Sequence, residues 1–143
     1  MANEIAKTTT YISLVDPLKA KVKSYIAHED IVAGQAIYSV TATGKAGLAT
    51  AAAANNLAQF RGLALKTTKA GYAVDVVEEG EVYGFTLSGL DYDAVVYLHD
   101  TAGTLSTTNG TIHVRVGRVV SLTDSPTLTK VLSVEVSRNV IWS

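Results

Sequence analysis

The sequence predicts an all-β protein: a single small β-barrel or jelly-roll-like β-sandwich, with an extended N-terminal arm and at most one short helix. Three observations predict it. Apolar residues recur with a period of two, as they do when successive side chains point to opposite faces of a strand. Sustained helical periodicity is nearly absent across the 143 residues. Turn signals separate the alternating runs at barrel or sandwich spacing, which gives roughly ten short strands.

Residues 1–30 read as an N-terminal arm and edge strand, and residues 31–143 as the β-domain. Thr8–Ile12 is β-prone but has no hairpin partner nearby, and Asp16-Pro17 interrupts the chain after it. Lys19, Lys21 and Lys23 then fall on one side of an extended segment, with Ala20, Val22 and Ser24 on the other. Alternating lysines on an edge strand block unwanted strand pairing. The same strip also suits contact with an acidic partner surface.

Ile31–Val40 mixes apolar residues around Gly34. Ala49–Ala58 breaks the pattern. Its alanines favour a turn or two of helix, whereas the flanking glycine and threonine favour an irregular surface crossover. Gly71–Val77 and Glu81–Leu87 read as a hairpin turning on Glu79-Gly80. Ala94–Leu98 is a short apolar strand closed by His99–Gly103.

Asn109-Gly110 lies between β-type runs and is a strong hairpin signal. Thr111 completes a glycosylation pattern, but without a secretion signal the hairpin reading is preferred. Ile112, Val114 and Val116 face one side of the next strand, and Thr111, His113 and Arg115 the other. Gly117 permits a bulge before Arg118–Leu122 continues, and Val131–Val136 alternates again.

Composition narrows the function. Charged residues are 17% of the chain, below the roughly 25% of typical soluble domains. Either part of the surface is meant to be covered, or a compact β-domain simply carries few charges. Net charge is −1, so no cation excess exists to displace counterions from DNA, and nucleic acid is not an expected partner. The absence of cysteine excludes disulfides and thiolate chemistry. No apolar run approaches the ~20 residues of a membrane span. Met1–Lys7 lacks a signal core, so synthesis in the cytosol is expected.

A search for chemistry returns little. His28-Glu29-Asp30 and His99-Asp100 set carboxylates beside histidines, but adjacent strand residues point apart and do not converge on an ion. Asp91 and Asp93 follow Ser88-Gly89-Leu90 and read as solvated turn residues. Gly44-Lys45 fails as a phosphate loop, because Ala46 and Ser39 stand at required positions. No catalytic residue, metal or cofactor is therefore expected, and the chain is not read as an enzyme.

Five segments, from about Asp30 to Ser137, together resemble the bacteriophage capsid decoration (cement) proteins. They are Val32-Ala33-Gly34-Gln35-Ala36; Arg61-Gly62-Leu63-Ala64-Leu65; Lys69–Val76 followed by Glu79–Val82; Val95–Leu98 with Thr101–Thr107; and Val116–Val120 followed by Val131–Val134. The first thirty residues and Arg138–Ser143 match no part of the family pattern. The resemblance implies a structural virion protein on the outer capsid surface, bridging major capsid subunits to stabilise the shell.

A homo-oligomer is the expected form, a trimer ahead of a dimer, since closure over a symmetry axis makes later contacts intramolecular. Candidate capsid contacts are Tyr11, Ile12, Val22 and Tyr25 as apolar anchors and Lys19, Lys21 and Lys23 as charges. On this reading Met1–Pro17 is a clamp whose removal leaves a folded domain. Trp142 beside Ile141 is an interface anchor or a plug on the barrel end. The alternative function is a phage head-fibre or carbohydrate- or receptor-binding β-module, with the tyrosines presented to ligand.

Overall fold

The computed structural model describes residues 5–7, 12–52, 55–87, 89–124 and 127–136. The all-β expectation holds. Ten strands form one curled antiparallel sheet, and two 3₁₀ turns, Pro17–Lys19 and Asn56–Ala58, are the helical structure among the described residues. The strands are β1 (Ser13–Leu14), β2 (Lys21–Ile26), β3 (Ala36–Ser39), β4 (Ala46–Leu48), β5 (Gly62–Ala64), β6 (Ala73–Tyr83), β7 (Val95–Leu98), β8 (Leu105–Ser106), β9 (Arg115–Asp124) and β10 (Thr127–Glu135). Their order is β4-β3-β5-β6-β10-β9-β7-β8, with β1 and β2 also joined to β6.

β6 is the spine, and it corrects the expected hairpin on Glu79-Gly80. The chain runs straight through that site as one strand. Val77 lies between Val22 of β2 and Leu63 of β5; Val82 lies between Leu14 of β1 and Leu132 of β10. Both edges of β6 are thus occupied, each by two strands end to end. Glu79 pairs with Lys21 and Val77 with Val22, so Glu78 is an extra, bulged residue. Gly80 sits at φ +145°, which favours glycine, and a Cβ there would meet the Ala20 methyl at 2.9 Å. Glycine here bends a continuous strand instead of reversing it.

The strands around β6 feed two cores. Val77, Leu63 and Ala36 face a main core that reaches Val96, Leu98, Val116, Val119 and Leu132. Their neighbours Val76, Ala64 and Ile37 face a second, smaller core with Tyr25, Ala27, Ile31, Ala46 and Val74. A strand covered on both faces needs apolar residues at consecutive positions. This explains Ala36-Ile37, Leu63-Ala64 and Val76-Val77, all of them fully buried.

Short irregular segments complete the curl. The Ile5 N–H donates to the Leu105 carbonyl (3.0 Å), the Thr86 N–H donates to the Ala6 carbonyl (2.8 Å), and Lys7 bridges Phe85. Residues 5–7 thereby lie between β8 and the chain just beyond β6. The Lys7 ammonium donates to the Ala33 carbonyl at 2.8 Å, and burial lowers its pKa. On the other side, the His28 N–H donates to the Ala46 carbonyl at the open edge of β4. The N-terminal stretch is therefore extended but not detached. Ile5 and Ile12 sit in the main core, and β1 and β2 belong to the sheet.

Of two further readings, the one at residues 49–58 is resolved and the one at Asn109-Gly110 is corrected. Among the described residues of 49–58, the helical structure is the turn Asn56–Ala58, capped by the Asn55 side chain. Ala49 and Ala51 are buried and exchange backbone hydrogen bonds with Ala36, His99, Gly103 and Ile112. Small side chains let these backbones approach, so packing and not helix propensity explains the alanines there. Asn109-Gly110 does not join a hairpin. β8 pairs with β7, β9 also pairs with β7, and neither residue has the positive φ that a type I′ turn requires.

The burial alternation holds, with Ile112, Val114 and Val116 buried and Thr111, His113 and Arg115 exposed, but the strand itself begins only at Arg115 and residues 111–114 are an irregular approach to it. The expected irregularity is also present. Val96 pairs with Gly117 and Tyr97 with Arg115, leaving Val116 as the extra residue.

At Gly117 an added Cβ would lie 1.9 Å from the Ser133 carbonyl oxygen, so β9 and β10 would have to separate. Gly117→Ala is expected to destabilise the fold by about 3 kcal/mol, measured by denaturant unfolding. The N-terminal stretch gives a second test. Removing residues 1–17 withdraws Ile5, Ile12 and Leu14 from packed positions. The truncated chain is expected to lose the sharp unfolding transition of the whole protein in a calorimetric scan, contrary to the clamp reading.

Candidate functional site

The candidate site is the outer edge of β2. Asp16 and Pro17 set up its approach. The Asp16 carboxylate accepts from the Leu18 N–H at 3.1 Å, and Pro17 pre-forms the first position of the 3₁₀ turn. Ala20 then leaves the turn at φ −96°, ψ 148°, an extended conformation that launches β2. One edge of β2 pairs with β6. Among the described residues no strand pairs with the other edge, so alternate backbone N–H and C=O groups of Lys21–Ile26 point outward.

The alternation anticipated for this segment is present. Tyr25 points inward opposite Val74 and is buried, and the Lys23 ammonium lies 5.2 Å from the Tyr25 ring centroid. Val22, Ser24 and Ile26 face the other way. Val22 is 42% and Ile26 45% exposed, and Leu18 at the tip of the preceding turn is 96% exposed. Lys19, Lys21 and Lys23 are all exposed. No ion pair among the described residues holds any of these lysines. A groove of about 490 Å³ runs beside Lys19, with Glu79, Glu81, Val15 and Asp16 in its walls.

The structure sorts the candidate contact residues. Lys19, Lys21, Lys23 and Val22 come together on the surface around β2. Ile12 and Tyr25 do not join them as exposed anchors. Ile12 packs in the main core, its N–H donating to the Leu65 carbonyl at 3.2 Å, and Tyr25 packs in the second core. An apolar residue in a short strand has the same sequence signature whether it faces a core or a partner. Tyr11 and Trp142 lie outside the described residues. Sequence reasoning missed Leu18 and Ile26. The signal for Leu18 was its place directly after Asp16-Pro17, at the tip of a turn where nothing covers it.

The histidine–carboxylate neighbours serve loop closure. The Asp100 carboxylate accepts from the Thr111 N–H (2.7 Å) and from the Thr111 hydroxyl (2.6 Å). These bonds, with help from His99, hold its pKa below the usual carboxylate range. His99 Nδ1 accepts from the Thr101 N–H at 2.9 Å. Asp30 accepts from the Ala70 N–H at 3.0 Å and faces Lys69 at 3.6 Å; both lower its pKa. Glu29 accepts from the Leu48 N–H at 3.2 Å. Asp93, at φ 67°, lies in an exposed turn with Arg118 donating to its carbonyl at 2.9 Å. Among the described residues no group of three His, Cys, Asp or Glu side chains is gathered to hold a metal ion.

No protein-family model, no curated protein and no solved structure matches this chain.

The Asp100–Thr111 clamp has a testable pH signature. Its pKa is depressed in the folded state, so its stabilisation is present above the unfolded-state value near ~3.9 and fades as pH falls through the folded-state value. Asp100→Asn is expected to cost about 1 kcal/mol at pH 7. The difference from the parent chain should shrink steadily in strong acid, measured as the gap between thermal unfolding midpoints at each pH.

Proposed function

We propose that this chain is a structural virion protein that binds the outer surface of a phage capsid and stabilises the shell by bridging major capsid subunits. The observation that carries the reading is the β2 edge. A sheet packed on both faces around β6 holds a strand edge that is open among the described residues, with exposed Leu18, Val22 and Ile26 near three lysines that no described acid pairs. Exposed apolar residues grouped on one surface feature favour a protein partner. The resemblance of residues 30–137 to the cement proteins points to which kind of partner.

The physics suits the role. Pressure from packaged DNA pulls capsid subunits apart, and a bridging protein raises the work needed to separate them. One contact can be weak. A homotrimer seated on a local threefold axis makes the second and third contacts intramolecular and multiplies the hold. The protein would be made in the host cytoplasm and reside on the outside of the virion. Neither nucleic acid nor membrane has a role in this reading, and no cofactor is needed.

A second reading rests on Tyr72. It is 69% exposed beside Lys66, Thr67, Thr68 and Lys69, in a depression of about 470 Å³. An exposed aromatic among polar groups suits a sugar face, as in a head-fibre or receptor-binding module.

Reconstitution separates the two. Purified protein added to cognate capsid shells lacking it is expected to saturate at a fixed copy number and raise the shell disruption temperature, followed by calorimetry. Absence of saturable binding, with glycan binding lost on Tyr72→Ala, would replace the cement reading with the receptor-binding one.

A further inference from the structure

We infer that the outer edge of β2 accepts an extended acidic segment of the partner as an added strand, with acidic side chains opposite Lys21 and Lys23 and apolar ones beside Val22. This deepens the capsid-binding reading and rests on it for the identity of the partner.

The backbone supplies the first argument. Lys21–Ile26 is paired to β6 along one edge, and no strand among the described residues lies along the other. A strand added there would satisfy the outward N–H and C=O groups with main-chain hydrogen bonds, the usual source of affinity in strand addition. The edge closes at its far end, where Ala27 bridges Ala46 and the His28 N–H bonds the Ala46 carbonyl. The docking stretch is therefore Lys21–Ser24, with the Pro17–Lys19 turn and its exposed Leu18 at the near end.

Charge selects the occupant. A second copy of β2 pairing edge to edge would set lysines against lysines, and like charges across a strand pair are unfavourable. An acidic strand reverses that sign. Glu79, Glu81 and Asp75 also lie nearby, but they stand on β6. An added strand lies about 4.8 Å from β2 and roughly twice that from β6. At physiological salt the second distance is about one screening length, so the β2 lysines dominate what the newcomer meets. The side chains complete the specification. Lys21 and Lys23 share one face of β2 and Val22 the other, so the matching strand alternates acidic and apolar residues.

The test uses the full-length ¹⁵N-labelled protein and two synthetic eight-residue peptides. One alternates glutamate with valine, and its counterpart alternates lysine with valine. Titration by NMR is expected to shift amides of Lys21–Ile26 and their β6 partners with the acidic peptide alone, more weakly as salt rises. The double variant Lys21→Glu, Lys23→Glu replaces two exposed side chains and gives up the Lys23 contact with the Tyr25 ring, so its fold is checked first by the NMR spectrum of the free protein. It is expected to weaken the acidic peptide roughly tenfold or more and to gain binding of the lysine peptide.

Equal response to both peptides, shifts centred elsewhere, or no response at millimolar peptide would overturn the inference. Capsid shells decide the level of failure. If the double variant decorates shells as the parent does, the β2 inference falls and the capsid reading stands. If the parent does not decorate them, the capsid reading falls, and the peptide result still judges the edge.

Discussion

The structure depends on β6 being paired along both edges and packed on both faces. Val76 and Val77 are adjacent residues that enter different cores, and each is fully buried. Four other strands take their register from this one. The consequence is mechanical. Twisting or shearing β6 breaks ladder hydrogen bonds on two sides and repacks two cores together, so the regions joined by it behave as one stiff body. The bulge at Glu78 and the glycine at position 80 let the strand bend between its two sets of partners without giving up either.

That stiffness gives the β2 edge its meaning. A mobile edge strand would lose conformational entropy on meeting a partner, whereas one already fixed by β6 and by Tyr25 in the second core loses little. The same anchoring fixes the faces: Lys21 and Lys23 share the face of Tyr25 but stay exposed beyond it, and Val22 takes the opposite face. The loops show the complementary logic. Carboxylates at Asp30 and Asp100 accept backbone N–H bonds and tie their loops to the sheet. Acidic groups that could have suggested chemistry are engaged in holding shape.

The sequence was most readable where one face of a strand meets core and the other meets water. Residues 111–116 show it in burial, which the alternation predicted residue by residue, although the strand starts only at Arg115. Val95–Leu98 and residues 131–135 were legible as strands from their apolar content. Reading failed at β6, because a glycine flanked by glutamates looks the same in a turn and in a bent central strand. It failed at Asn109-Gly110, where Asp100, eleven residues away in sequence, captures Thr111 and sets the loop. It also failed at Ile12 and Tyr25, since an apolar residue in a short strand does not reveal which surface it meets.

By itself, then, the sequence determined what is local: the all-β class, the approximate number of strands, the lysine alternation of β2 and the lack of cysteine chemistry. Period-two patterning and backbone sterics act between near neighbours, so a single chain segment carries them in full. Tertiary structure alone decided which edges were filled and which stayed open. It passed β6 through Gly80, drew Ile5 and Ile12 into the core, and left Lys21–Ser24 without an outer strand among the described residues. Those outcomes rest on contacts between residues far apart in the chain, whose relative energies no local pattern encodes.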